Sequence, residues 1–279
     1  MKIKNTIWNK SIRKKFLNII TSLELFLSLI LIFIDIPNKY KVTTGIVFAI
    51  ILIIIYIVIW IFSNTMKEIK FDINNSKIEI RVGDLFQEKG LKVIPFNEFF
   101  DTTVDEDLIS GNTLNGKFVK ENIQDLEKFN IEIEELLKQR NKEGTIVENR
   151  LKGKNKKYKL GTVIKYSNEY LLVAFSKFDS NNEARLTMEE YISSLLEFWR
   201  EVSRIYAQNN IIVPILGSGI TRFNGYNVTE QENLEILLWT LKISKIKIAV
   251  PSKIVIVINK KLLEKINLYK IKEEYLNGI

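Results

Sequence analysis

The sequence predicts an α/β protein in which an N-terminal transmembrane helical hairpin precedes an α/β/α sandwich with a mixed, largely parallel sheet. Three observations carry this. Two long apolar runs lie within the first seventy residues. Beyond them, short strand-like runs alternate with amphipathic helical stretches, the pattern of crossover connections between parallel strands. Several of those runs end in Gly- or Asn-containing loops, as strands do when they feed a site at their carboxyl ends.

Residues 16–34 and 44–62 are each about 19 residues long, enough at ~1.5 Å per residue to cross a hydrocarbon core about 30 Å thick. The second run, GIVFAIILIIIYIVIWIF, carries no charge, whereas Asn18, Thr21, Ser22 and Glu24 interrupt the first. A basic head before an apolar run also suits a signal peptide. No small-residue cleavage site comes after it, however, and Asp35-Ile36-Pro37-Asn38 reads as a turn. Both runs are therefore expected to span, joined by a tight hairpin at 36–42. Lys2, Lys4, Lys10, Arg13, Lys14 and Lys15 precede the first run, against only Lys39 and Lys41 in the hairpin. The positive-inside rule then places both termini in the cytoplasm and the chain in the inner (plasma) membrane as a multi-pass protein. Trp8, Tyr40, Tyr56 and Trp60 fall near the expected interfaces. The domains expected are 1–64, a basic segment with two helices, and 65–279, a cytoplasmic ligand-binding domain. An ionised carboxylate at the depth of Glu24 costs on the order of a few kcal/mol. Glu24 is therefore expected either to hydrogen-bond Thr21 or Ser28 or to face an oligomeric interior.

Charge is divided in the same way. Net charge is +8, and residues 1–70 hold ten Lys/Arg against three Asp/Glu, so +7 of it lies there. The remainder is close to neutral and offers no field for a phosphate backbone, which argues against a nucleic-acid partner. With no Cys and no His, disulfides, thiolate nucleophiles, Cys/His zinc sites and imidazole acid–base chemistry are excluded.

Residues 63–71 read as a short linker. Residues 77–82 (KIEIRV) alternate apolar and polar side chains, and 92–96 form a second short strand. The stretch 101–117 is polar and rich in Gly, Asn and Thr, which reads as a long functional loop. Ile123, Leu126, Phe129, Ile133, Leu136 and Leu137 give 119–140 helical periodicity. Residues 158–166 and 170–178 read as strands around Ser167-Asn168-Glu169, and 187–207 as an amphipathic helix. Residues 211–216 (IIVPIL) read as a buried central strand. Thr229 and Glu232 form a capping box ahead of Leu234, Leu237 and Leu238. Residues 253–258 (KIVIVI) are the last strand, and 262–275 read as a terminal helix.

Three stretches occupy positions beyond strand ends: Gly83-Asp84 after KIEIRV, residues 97–116 after VIPF, and Gly217-Ser218-Gly219-Ile220-Thr221 after IIVPIL. A Gly-Ser-Gly loop lets backbone N–H groups approach an anion, because no Cβ intervenes. Alone it serves equally to turn the chain, and so does Asp84.

Together these stretches resemble a macro domain, the ADP-ribose-binding fold. The order is strand–GD(L), strand–N, a Gly-containing polar loop opening a helix, then VP-x-x-G-x-G before another helix. More narrowly, FNEFFDTTVDEDLISGNTLNGKF, VAFSKFD and VPILGSGI resemble the macro-domain effectors of Thoeris antiphage systems. The membrane-anchored type of that family places two transmembrane helices ahead of a single macro domain. The resemblance covers essentially the whole chain.

The resemblance implies roles residue by residue. Asp84, with Leu85 beside it, would accept a hydrogen bond from the adenine amino group. Asn97 would lie by the distal ribose, with Phe100 and Asp101 in the area where the family carries a second Asn. Gly111 and Gly116 are what remains of a glycine-rich first loop, with Asn115 between them. Gly217, Ser218, Gly219, Ile220 and Thr221 would form the diphosphate loop, and Phe223 would stack near the distal ribose. No cofactor or metal is implied. The implied protein is a sensor rather than an enzyme. Its ligand would be an ADP-ribose-derived signal, histidine-conjugated ADP-ribose, made from NAD by a partner TIR-domain protein. Binding would favour a homo-oligomer whose helices disrupt the lipid bilayer. Two other readings stand beside it: a membrane-tethered ADP-ribosyl hydrolase in which Asp101, Asp105 or Asp107 activates water, and a membrane anchor for a protein partner.

Overall fold

Two helices open the chain in a computed structural model that describes residues 3–148, 150–178, 184–218, 222–223 and 227–276. Helix α1 spans Lys10–Leu31, and the Asn9 side chain caps it by accepting from Ser11 N (2.9 Å) and Ile12 N (3.3 Å). Helix α2 spans Asn38–Thr65, with a mean hydropathy of 3.2 in its most apolar window. Among the described residues α2 is the one helix long and apolar enough to cross a membrane. The expected pair of spans is thus reduced to one candidate, for a physical reason. Lys10, Arg13, Lys14 and Lys15 fill the first turns of α1. The rest of that helix, residues 16–31, rises only about 24 Å and is interrupted by Asn18, Thr21, Ser22, Glu24 and Ser28. The connection between the helices is also earlier than expected, at 32–37. Phe16 meets Tyr56 edge-on at 4.9 Å, and the Lys15 ammonium lies 5.6 Å from the Phe62 ring. Glu24 is exposed. Thr21 and Ser28 donate to Leu17 O (3.0 Å) and Leu25 O (2.9 Å), so their hydroxyls serve the backbone and not Glu24.

The chain divides into two compact units, Met1–Lys67 with Ile266–Ile279, and Glu68–Lys265. The larger begins with a strand where the sequence suggested a linker. β1 (Glu68–Ile73) pairs antiparallel with β2 (Ser76–Val82) across Asn74 and Asn75, both at positive φ, as a two-residue hairpin requires. Its EIKFDI alternation buries Ile69, Phe71 and Ile73. Next come β3 (Leu91–Asn97), α3 (Leu114–Asn122) and α4 (Leu126–Gln139). A small isolated pair, β4 (Thr145–Ile146) and β5 (Lys156–Lys157), is succeeded by β6 (Val163–Tyr166), β7 (Tyr170–Phe178) and β8 (Ala184–Leu186). Then come α5 (Met188–Ile205), β9 (Ile211–Pro214) and β10 (Arg222–Phe223). Helix α6 (Glu230–Ser244), β11 (Lys253–Ile258) and α7 (Lys260–Leu263) complete the unit.

The sheet runs β1-β2-β11-β9-β3-β7-β8-β10, with β6 also on β7. Its centre, β2, β11, β9, β3 and β7, is parallel, and the antiparallel strands sit at the margins. Both faces are buried, which is why the central strands read as near-continuous apolar runs. On one face Ile94, Phe96, Leu172, Ile212 and Val255 pack with Phe118 of α3 and Phe129, Ile133 and Leu137 of α4. The alternate positions, such as Val93, Val173, Val213 and Ile256, are equally buried and belong to the opposite face, and α5 packs on β6, β8 and α6. The Trp199 indole N–H donates to Thr240 Oγ1 (3.2 Å) between those two helices.

The helical periodicity of 119–140 resolves into two helices. Asp125 interrupts it by capping α4 through Lys128 N (2.9 Å). The loop expected over 101–117 ends early because Thr113 caps α3 through Gly116 N (3.1 Å). Of the expected strand 158–166 only β6 forms. The terminal helix is broken into α7 and α8 (Leu268–Leu276), and α8 belongs to the smaller unit. There Asn267 Nδ2 donates to Asn5 Oδ1 (2.7 Å), while the Asn64 carboxamide oxygen at the end of α2 accepts from Lys4 N (2.7 Å) and Asn5 N (2.9 Å).

Candidate functional site

A cleft of about 1010 Å³ opens at the carboxyl ends of the five parallel strands, at the large end of the ~300–1,000 Å³ range of small-molecule sites. β2 delivers Gly83 and Asp84, and β3 delivers Asn97. Phe175, Ser176 and Phe178 come from β7, residues 214–218 from the end of β9 and the loop after it, and Val257 and Asn259 from β11. Residues 106–110 and the first turn of α3 form a further wall.

Asp84 caps the turn Leu85–Gln87 by accepting from Phe86 N (3.1 Å), which leaves most of its acceptor capacity turned to the cleft. Leu85 sits beside it, nearly buried. Asn97 lines the cleft with its carboxamide oxygen doubly engaged and one of its two Nδ2 hydrogens used. Its oxygen accepts from Phe99 N and Asp101 N (both 3.1 Å), and its Nδ2 donates to Asp101 Oδ2 (2.8 Å). Asn115 lines the cleft and accepts from Thr113 Oγ1 (2.6 Å). Gly217 takes φ +83°, and a Cβ there would lie 2.8 Å from the Tyr191 ring. Glycine thus lets this loop lie flat on Tyr191, whose hydroxyl donates to Leu216 O (2.7 Å) and whose burial pushes its pKa up, keeping it a neutral donor. Ser218 lines the cleft beside Gly217. Gly219, Ile220 and Thr221 lie outside the described residues.

Four expected site residues are not brought to the cleft. Phe100 is fully buried, its ring 6.0 Å from Phe96 and 5.8 Å from Tyr158. Asp101 is 1% exposed and clamped, accepting from Arg150 Nη2 (2.6 Å), Arg150 Nη1 (3.1 Å) and Lys154 N (2.7 Å) as well as Asn97. It positions Asn97 and the 150–154 segment, and it presents no free oxygen to activate water. Gly116 is glycine because α3 packs against the preceding loop: a Cβ would stand 2.2 Å from Ser110 O. Phe223 stacks edge-on against Tyr191 at 5.0 Å. The other two carboxylates of the hydrolase reading are also engaged. Asp105 accepts from Leu108 N (2.7 Å) and Asp107 N (3.1 Å), and the first of these bonds holds its pKa below the usual range. Asp107 borders the cleft, paired with Lys152. Gly111 N donates to Glu106 Oε1 (2.8 Å), which staples the loop that walls the cleft and holds the Glu106 pKa down.

Sequence reasoning missed the contributions of β7 and β11. Phe175, Ser176, Phe178, Asn259, Lys260 and Leu262 border the cleft by the same rule that singled out the ends of β2, β3 and β9.

Comparison with known proteins is decisive on family. The family model described as Thoeris protein ThsA, Macro domain, matches residues 78–259. The chain belongs to the ThsA family. The segment matched by that model contains nearly all of the parallel centre and of the cleft. A Thoeris protein ThsA of Bacillus amyloliquefaciens (strain Y2) is 37% identical over 282 residues, covering 100% of this chain and 94% of that protein. Among solved structures, the Oceanobacillus iheyensis macrodomain with ADP aligns at 18% identity and TM-score 0.47 over 75% of this chain and 96% of its own. The same macrodomain with MES bound aligns at 18% and 0.47, over 75% and 97%.

Proposed function

We propose that this protein is an antiphage-defence effector whose cleft binds an ADP-ribose-derived nucleotide, histidine-conjugated ADP-ribose being the form the resemblance implies. The observation that carries the reading is the cleft itself. An acidic acceptor, Asp84, stands at one strand end, a glycine-bearing loop on Tyr191 stands at another, and the N-terminus of α3 lines the same cleft. In this reading Asp84 and Leu85 hold the adenine. Gly217 and Ser218 hold the diphosphate, the resemblance assigning Gly219, Ile220 and Thr221 to the same role, and the α3 N-terminus favours it electrostatically. Asn97 and Asn115 face the distal ribose.

The reading continues to the membrane. α2 spans the inner membrane, α1 crosses beside it with its short apolar part lengthened by the apolar residues 32–34 that come next, residues 65–279 lie in the cytoplasm with both termini, and a TIR-domain protein supplies the signal. Supporting this are the uncharged stretch 42–65 of α2, the basic head of α1 and the packing of Phe16 on Tyr56 between the two helices. Bound signal favours self-association, and the helices then permeabilise the bilayer, with Glu24 facing the oligomeric interior. The ligand must bind the assembled state more tightly, or it shifts nothing. The test is dye release from vesicles carrying the full chain. Leakage on adding the histidine conjugate is expected, and no leakage at saturating nucleotide would refute the effector reading. Release of free ADP-ribose from an ADP-ribosylated substrate would favour the hydrolase instead.

A further inference from the structure

The cleft wall and the helical unit are nearly consecutive in the chain. Asn259, Lys260 and Leu262 border the cleft, and Ile266, fully buried, already belongs to the compact unit that contains α1 and α2. Only residues 263–265 intervene, so Leu262 and Ile266 are at most about 14 Å apart along a fully extended chain. Lys265, largely exposed, lies with its ammonium 3.9 Å from Glu230 in the first turn of α6. The other join between the units leads into β1, and none of residues 66–73 borders the cleft.

Beyond Ile266 the chain enters a half-buried polar clasp centred on Asn5. Asn267 Nδ2 donates to Asn5 Oδ1 (2.7 Å), and Asn267 Oδ1 accepts from Lys270 N (3.1 Å) at the start of α8. Asn5, 1% exposed, donates through Nδ2 to Ser63 O (3.1 Å), and its carbonyl accepts from the Trp60 indole (3.0 Å). Asn9, the cap of α1, donates to the same Asn5 Oδ1 (3.3 Å). One asparagine therefore joins the start of α1, the end of α2 and the start of α8. Such a network is specific in geometry, and every member loses partners if one is displaced.

We propose that residues 259–271 form a transmission strap, by which occupancy of the cleft is passed through α7 and the short 263–265 link to the asparagine clasp at the paired ends of α1 and α2. The proposal rests on the ligand-gated reading above and names the element that does the gating. A short connector between two ordered ends passes displacement on, whereas a long slack one would absorb it.

The experiment uses the full chain in vesicles, with histidine-conjugated ADP-ribose and ADP-ribose as probes. One variant inserts eight Gly/Ser residues between Lys265 and Ile266, and a second is Asn267→Ala. Nucleotide affinity is expected to stay within twofold of wild type. Nucleotide-triggered dye release is expected to fall at least tenfold in the insertion variant and severalfold in Asn267→Ala. In the wild type, amide exchange at 266–276 is expected to change when nucleotide binds. Leakage within twofold of wild type in both variants, leakage without nucleotide, or unchanged exchange at 266–276 would each overturn the strap. Failure of the wild type to leak at all would count against the effector reading instead, and the two failures are thereby distinguished.

Discussion

Replacing Arg150 by alanine would strand the Asp101 carboxylate, and the structure sets the size of the effect. Asp101 is 1% exposed and takes two of its four hydrogen bonds from the Arg150 guanidinium, which also lies 3.7 Å over the Phe99 ring. The Arg150 side chain is itself only 8% exposed, so water cannot replace it without local opening. Breaking a buried pair of this kind by removing one partner costs about 3–5 kcal/mol, against ~0–1 for an exposed pair. For a unit of this size about 2–4 °C is lost per kcal/mol, which gives a fall in melting temperature on the order of 6–20 °C. Thermal unfolding of the full chain in detergent measures it. The apolar double variant Asp101→Leu/Arg150→Met should melt higher than Arg150→Ala, because it leaves no buried carboxylate without its cation. A fall below about 2 °C for Arg150→Ala would show that the pair behaves as an exposed one, and the structural role given to Asp101 would then be wrong.

Gly217→Val adds a Cβ 2.8 Å from the Tyr191 ring at φ +83°, where a branched side chain is strained, and should abolish nucleotide binding in a titration while Ser218→Ala only weakens it. Asp84→Ala removes one charge-assisted hydrogen bond and should weaken binding about tenfold or more, read by calorimetry. Burial pushes the Lys154 ammonium down to about 8 from 10.5. Its desolvation therefore costs stability below pH 8, and stability should rise with pH between 8 and 10.5, where only the unfolded chain keeps the proton. Lys154→Met should accordingly stabilise the protein at pH 7, by up to about 3 kcal/mol, and denaturant titrations at pH 7, 9 and 10 should show that advantage shrinking. Thr187→Ala removes the capping box of α5 and should cost about 1 kcal/mol, seen as a melting shift of ~2–4 °C.

The features legible in the sequence are those governed by local rules. KIEIRV, VIPF, IIVPIL and KIVIVI are buried parallel strands, so their apolar runs are unmistakable, and the Thr229 capping box marks the start of α6 to the residue. β1 is equally readable from its alternation, but its place after a long apolar helix makes EIKFDI look like a linker. The break between α3 and α4 leaves the periodicity of 119–140 intact and is signalled only by the Asp125 cap. The clamp on Asp101 is out of reach of any local rule, since it joins residues 49 positions apart through a buried ion pair. For the same reason Asp101 and Phe100 look like site residues: they come directly after Asn97 in sequence, but the chain turns inward at Phe100, at φ +50°, and carries both into the core. α1 misleads in the other direction, because its apolar run extends to Ile34 whereas the helix stops at Leu31.

The central claim, that this cleft reads an ADP-ribose-derived nucleotide, is tested most directly by calorimetric titration of the full chain and of Gly217→Val with histidine-conjugated ADP-ribose and with ADP-ribose. Saturable binding, one nucleotide per chain, that disappears in Gly217→Val is the expected result. Absence of binding for both nucleotides, or binding that Gly217→Val leaves unchanged, would contradict it.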